Sequence, residues 1–255
     1  RYINKFKVDS TDDKTFDFVL AADGRDSLSR KKWNIRYLKR FYKQRCISFK
    51  AILEGAPPKR AYEIFRHEGP LALLPLKDST YQIIWFSSIT DTKLKLSLSD
   101  NELLDRLTSI LPDKIVAEEV VGEISNYSVA KAFALPKLTN IRKLIIGDSA
   151  HSFHPVGGQG LNSCIRDVYE LGEILNNLET KSNLYRKFIN LNFFLKRLID
   201  IISLILFTDF LIKLFSNQIK FTYPLRNLIF YLLRKMKFIR SNVFSLMTDS
   251  IKRYK

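Results

Sequence analysis

The sequence predicts a mixed α/β fold, and three observations predict it. A short apolar run, residues 143–147, leads through a glycine-rich loop into a helical pattern. Between residues 46 and 87, runs rich in β-branched and aromatic residues follow one another with short connections, as in an antiparallel sheet. From Lys181 onward the chain is helical in pattern and basic, with 15 Lys and Arg against three Asp. That stretch carries +12 of the net charge of +16. At 255 residues the chain can bury a sizeable core in one large domain or two smaller ones.

Taken in order, residues 1–8 and 15–22 read as strands separated by the turn-like "DSTDDK", and the second runs straight into Asp23-Gly24. Residues 33–45 are basic and read as irregular or helical. "CISFKAILEG", "KRAYEIFRHEG", "PLALLPL" and "TYQIIWFSS" read as strands broken by Gly, Pro or Lys-Asp turns. "SDNELLDRLTSIL" (99–111) opens on a Ser/Asp cap and carries Leu103, Leu104, Leu107 and Leu111 at helical spacing. Strand-like segments follow at 118–134. "KLIIG" reads as a short buried strand of parallel-sheet type, and a helix is predicted from about Gly160 to Asn176. Its Leu161, Ile165, Val168, Gly172 and Leu175 fall on one helical face.

In the tail the basic residues alternate with long apolar runs, a mixture that favours an anionic membrane surface over nucleic acid. A membrane span needs about 18 apolar residues with few charges. The longest strongly apolar, charge-free stretch, Ile201–Thr208, is too short, so amphipathic helices are expected. Cys46 and Cys164 lie in unrelated contexts and make neither a disulfide framework nor a metal pattern, which suits a reducing compartment. His151 and His154 form an H-x-x-H, with no carboxylate or Cys beside them at metal-ligand spacing on a helix, so no metal site is expected. No G-x-S-x-G nucleophile elbow is present.

The loop after "KLIIG" has the build of a cofactor site at the carboxyl end of a strand. Asp148 is placed to accept hydrogen bonds from sugar or ribityl hydroxyls. Gly157, Gly158 and Gly160 let the backbone approach a flat ligand. Free N–H groups around Gly160, Leu161 and Asn162 offer positive potential to an electron-rich group such as the pyrimidine end of a reduced flavin.

These residues carry a family resemblance. Gly147-Asp148-Ser149-Ala150-His151, then Pro155, Gly158-Gln159-Gly160, Asn162 and Asp167 resemble the second flavin motif of the FAD-dependent aromatic hydroxylases with the p-hydroxybenzoate hydroxylase fold, G-D-A-A-H-x-x-x-P-x-x-G-Q-G-x-N-x-x-x-x-D. The departures are Ser149 for Ala and Gly157 where Ala is common. Asp23-Gly24-Arg25-Asp26-Ser27-Leu28-Ser29-Arg30 resembles the same family's D-G-x-x-S-x-x-R motif. "RHEGPLALLPL" (66–76), the "RDV" that follows the flavin loop, and "FTDFLIKLFSN" with "PLRNL" (207–228) are similar to segments of the ubiquinone-biosynthesis hydroxylases within that family.

The resemblance implies FAD as cofactor and a partial Rossmann-like FAD-binding domain over 1–45 and 135–180. It further implies an antiparallel-sheet substrate domain over 46–134 and a helical basic region over 181–255. It implies cofactor-binding roles for Asp23, Gly24, Arg30, Gly147, Asp148, Pro155, Gly157, Gly158, Gln159, Gly160, Leu161 and Asn162, and a structural role for His151. The implied reaction is hydroxylation of a polyprenylated phenol in ubiquinone biosynthesis through a flavin C4a-hydroperoxide, with molecular oxygen and an electron donor, NAD(P)H or a redox protein. The implied setting is the cytoplasmic face of a membrane, with other ubiquinone-biosynthesis proteins as possible partners. The alternatives are another aromatic substrate or, from a different class, a non-catalytic membrane-surface protein. The family's G-x-G-x-x-G has no counterpart among the nine Gly, so the chain reads as a carboxyl-terminal piece, inactive and weak in FAD affinity alone.

Overall fold

A computed structural model describes residues 6–7, 15–16, 18–137, 143–177, 188–219, 222–238 and 240–241. The predicted strands at 1–8 and 15–22 and the tail at 178–187 and 242–255 therefore lie partly or wholly outside the described residues. In chain order the elements are β1 (Phe6–Lys7), β2 (Thr15–Phe16), β3 (Val19–Ala21), α1 (Leu28–Lys32), β4 (Tyr37–Glu54), β5 (Tyr62–Ile64), β6 (Leu71–Pro75) and β7 (Thr80–Ser88). They continue with α2 (Ile89–Ser97), α3 (Asp100–Thr108), β8 (Val116–Ala134), β9 (Lys143–Ile145), a 3-10 turn (Gly147–Ser149) and β10 (His151–Ser152). A second 3-10 turn (Val156–Gly158), α4 (Gln159–Asn176), α5 (Ile189–Phe215) and α6 (Thr222–Lys235) follow among the described residues. The fold is mixed α/β, as the sequence predicts.

The chain divides into two compact units, residues 1–40, 130–208 and 238–255 in one, and 41–129 and 209–237 in the other. The basic tail is shared between them, α5 passing from the first into the second.

The second unit is built on an antiparallel sheet in the order β8-β4-β7-β6-β5. Register is set by apolar pairs that face the same side: Ile47 lies opposite Trp85 and Trp85 opposite Leu71. Alternate residues of β4 and β7, Ile47, Phe49, Ala51, Tyr81, Ile83 and Trp85, are fully buried, and Leu103, Leu104 and Leu107 of α3 cover them. The start of α3 is fixed by a capping box, with the Ser99 N–H donating to Glu102 Oε2 at 2.8 Å. Helix α2, which the sequence reading leaves unassigned, begins on the Ser88 cap and buries Lys95 against Trp85.

One expectation is corrected here. Residues 37–45 are strand, continuous with the predicted run at 46–54. Four basic side chains at 39, 40, 43 and 45 mask the pattern, but the backbone is satisfied by pairing with β8, and Arg45 Nε donates to Asn126 Oδ1 at 2.8 Å. Charges on a strand open to solvent cost little, so local composition is a poor guide there.

In the first unit, β3 and β9 pair in parallel, Ala21 lying opposite Ile145. Leu144, Leu171, Ile174, Ile189 and Phe193 form its core, and Phe153, Ile201 and Leu204 a second cluster. Helix α4 spans the predicted range but turns its faces unexpectedly. Leu161 is 71% exposed, Ile165 58% and Val168 60%, whereas Gln159, Ser163, Arg166, Asp167 and Glu170 are buried. The reason is the neighbour. Arg197 and Asp200 of α5 lie against that polar face and meet it with ion pairs and hydrogen bonds.

Candidate functional site

The two motifs meet at the carboxyl ends of β3 and β9. At the first, Asp23 accepts from Ser27 Oγ at 2.5 Å and from the Ser29 N–H at 2.9 Å, tying the turn to the start of α1. Burial pushes its pKa up, but the hydrogen bonds from Ser27 and Ser29 together outweigh it and bring it down to about 2. Arg30 is buried, with its guanidinium 3.7 Å above the Tyr37 ring. It donates to the Arg25 carbonyl at 2.8 Å and to the Ser149 carbonyl at 2.7 Å. Ser149 Oγ in turn donates to the Ala21 carbonyl at 2.9 Å. Arg30 and Ser149 thus staple the Asp23-Gly24 turn to the Gly147-Asp148 turn.

The Gly147–Ser149 turn follows β9 by one residue. Gly147 has φ +61°, and a Cβ there would stand 3.2 Å from Cys164 Sγ, so the tight reversal suits glycine. The turn leaves the Asp148 side chain exposed, with Cys164 Sγ 4.0 Å from its Oδ1. Burial, then the charges of Asp148 and Asp167, push the Cys164 thiol up, so it sits there as a neutral group.

Behind the turn is a buried polar cluster. Asp167 accepts from the Gly147 N–H at 2.8 Å, from His151 Nε2 at 2.7 Å and from Arg197 Nε at 2.7 Å. Burial alone would raise this carboxyl. The hydrogen bond and charge of His151, then Arg197, overcome it and hold Asp167 below the usual carboxylate range. His154 is also buried, its Nδ1 accepting from the Val156 N–H at 3.1 Å. Both loop histidines are thus engaged within the protein.

The loop then climbs to the start of α4. Pro155 is exposed and Gly157 and Gly158 follow with φ of +75° and +63°. Two left-handed glycines turn the chain into the helix, and the N-cap residue Gly158 supplies no side-chain cap. Nothing lies within 4 Å of where a Cβ would stand at Gly158 or Gly160. Gln159 points inward, its Nε2 donating to the Gly157 carbonyl at 3.0 Å and its Oε1 accepting from Arg166. Leu161 is exposed and Asn162 half-buried beside it.

The twelve predicted residues therefore fall in one unit, and seven of them form two groups. Asp148, Gly158, Gly160 and Leu161 form an open rim, while Arg30, Gly147 and Gln159 hold it from behind. An uncapped helix start, a side-chain-free glycine face and an exposed carboxylate fit a flat, hydroxyl-bearing, electron-rich group such as a flavin with its ribityl chain. Arg197 is the residue sequence reasoning missed. Its signal was an Arg and an Asp three residues apart inside an apolar run.

The family described as "FAD binding domain" matches residues 5–183. The chain is 27% identical over 164 residues to 3-demethoxyubiquinol 3-hydroxylase of Escherichia coli, covering 62% of this chain and 40% of that protein. It is 30% identical over 157 residues to ubiquinone hydroxylase UbiL of Rhodospirillum rubrum, covering 62% and 36%. The chain thus spans about two fifths of the length of these curated relatives. The solved structure of p-nitrophenol 4-monooxygenase PnpA from Pseudomonas putida superposes with a TM-score of 0.67 over 91% of this chain and 60% of that one, at 18% identity, a likeness of fold. With both motifs and the loop between β9 and α4 inside the matched range, the chain belongs to the FAD binding domain family.

Proposed function

We propose that this chain forms the flavin-ring and substrate-sheet part of an FAD-dependent hydroxylase that acts on a polyprenylated phenol of ubiquinone biosynthesis at a membrane surface. The observation that carries the proposal is the exposed Asp148 carboxylate together with the open glycine positions 158 and 160 at the start of α4, which has no side-chain cap. Bound there, FAD supplies the electron transfer and oxygen chemistry, drawing on molecular oxygen and a reductant. The Asp148 carboxylate accepts from ribityl hydroxyls, and the α4 N-terminus favours negative charge on the ring. Asp23 and Arg30 hold the neighbouring turn in place from within the protein.

The substrate class is supported by the names of the two curated relatives, both ubiquinone-pathway hydroxylases. Equilibrium dialysis of a farnesylated phenol against p-hydroxybenzoate checks it: the chain should retain the prenylated phenol, and preference for the soluble acid would transfer the proposal to another aromatic substrate.

The membrane part rests on α5 and α6. Within the first unit, Leu195, Ile199, Ile202 and Leu206 form an exposed aliphatic stripe along α5. In the second unit α6 exposes Leu225, Leu228 and Tyr231, and Arg234 and Lys235 end it. No helix among the described residues is long and apolar enough to cross a membrane. Such stripes lie in the interface plane, and each nearby Lys or Arg adds about 1 kcal/mol beside an anionic leaflet. Co-sedimentation with anionic vesicles should weaken as salt rises; equal recovery with neutral and anionic vesicles at low salt would exclude this docking mode.

A further inference from the structure

We propose that Arg197, on α5 and outside both flavin motifs, is a positioning residue for the Asp148 turn, acting through Asp167. The geometry is a relay of three buried groups. Arg197 Nε donates to Asp167 Oδ1 at 2.7 Å, and Asp167 Oδ2 accepts the Gly147 N–H at 2.8 Å. Gly147 is the first residue of the tight turn whose next residue is Asp148. Arg197 is 2% exposed and Asp167 1%, so neither can exchange its partner for water.

Among the described residues three groups donate to Asp167. From the turn side come the Gly147 N–H and His151 Nε2, with Cys164 near by on α4; from α5 comes Arg197. Arg197 is held in turn by Asp200 and by the Ser163 carbonyl and hydroxyl, at 3.3 and 3.1 Å. Arg166 also reaches Asp200, at 3.4 Å, and Gln159 through its other terminal nitrogen, at 3.3 Å. The lattice therefore fixes α5 to the two residues on which the rim depends, Gly147 before Asp148 and Gln159 at the helix start.

Remove the Arg197 side chain and Asp167 Oδ1 loses its donor, leaving a buried carboxylate held through Oδ2 alone by the Gly147 N–H and His151. A carboxyl that takes up a proton or swings toward another donor releases the Gly147 amide, and the turn that aims Asp148 loses its anchor. A purely packing role for Arg197 predicts something different, a general loosening of α4 against α5 with no preference for Gly147.

Hydrogen exchange on the whole chain separates the two, with urea unfolding measured beside it and FAD as the titrated probe. Arg197→Met should speed exchange of the Gly147 amide by about tenfold or more beyond any change at Leu171 and Ile174. Arg197→Lys, which keeps the charge, should recover most of the protection. FAD affinity should fall in Arg197→Met and return in Arg197→Lys. This last arm alone rests on the flavin reading: a wild-type chain without FAD affinity counts against that reading and leaves the exchange result standing. If Arg197→Met does not fold, Arg197→Gln should show the same selective rise. Exchange at Gly147 that rises no more than at Leu171 and Ile174, or Arg197→Lys behaving like Arg197→Met, overturns the proposal.

Discussion

Trp85→Ala is expected to cost about 3–5 kcal/mol, the range for emptying a large aromatic site in a close-packed core. Trp85 is 1% exposed and sits between Ile47 of β4 and Leu71 of β6, at the centre of the sheet that α3 covers. Its ring also lies 4.2 Å from Lys95 Nζ, a buried ammonium paired with Asp91, whose other oxygen Arg106 meets at 2.6 Å. Truncation therefore opens a cavity and strips a buried cation of its aromatic partner at once. A loss of that size lowers the melting temperature by roughly 10 °C in a chain of this length. Trp85→Phe, which retains most of the volume and an aromatic face, should lose less than half as much. Thermal unfolding followed by circular dichroism checks both, and a loss below about 1 kcal/mol for Trp85→Ala would mean that the sheet is not packed as described.

The parts of the fold that were legible in the sequence are those where local chemistry and tertiary role coincide. "KLIIG" before Asp148 reads as a buried strand because all its apolar residues need cover, and β9 pairs in parallel with β3. The α3 start is legible because a Ser-x-x-Glu box satisfies its own backbone locally. The Asp23-Gly24 and Gly147-Asp148 turns are legible as glycine and carboxylate spacings, and Arg30 and Ser149 join them.

The less legible parts depend on partners distant in sequence. The basic half of β4 looks irregular because its side chains reach solvent, and it is the sheet between β8 and β7 that makes it a strand. The apolar face of α4 is correctly grouped by periodicity, yet periodicity cannot say that Arg197 and Asp200, some thirty residues on, claim the opposite face. The same distance hid Arg197 from the reading of the site. A charged residue in an apolar helix is expensive unless paired, and its partner is visible only in three dimensions.

Asp148→Ala is the second large effect. Asp148 is the exposed carboxylate of the rim, with Cys164 of α4 4.0 Å from its Oδ1. It carries no core packing, so its removal should leave stability within about 0.5 kcal/mol of wild type. The loss should appear instead in ligand affinity, because a carboxylate accepting from hydroxyls contributes about 1.5–3 kcal/mol, or roughly 10- to 100-fold. The central claim is that the two turns, stapled by Arg30 and Ser149, present a flavin site through Asp148. The measurement that tests it most directly is a fluorescence titration of FAD into wild type and Asp148→Ala under identical conditions. Wild type should bind saturably, and Asp148→Ala more weakly by about tenfold or more with the circular dichroism unchanged. Equal affinity in the two proteins would contradict it.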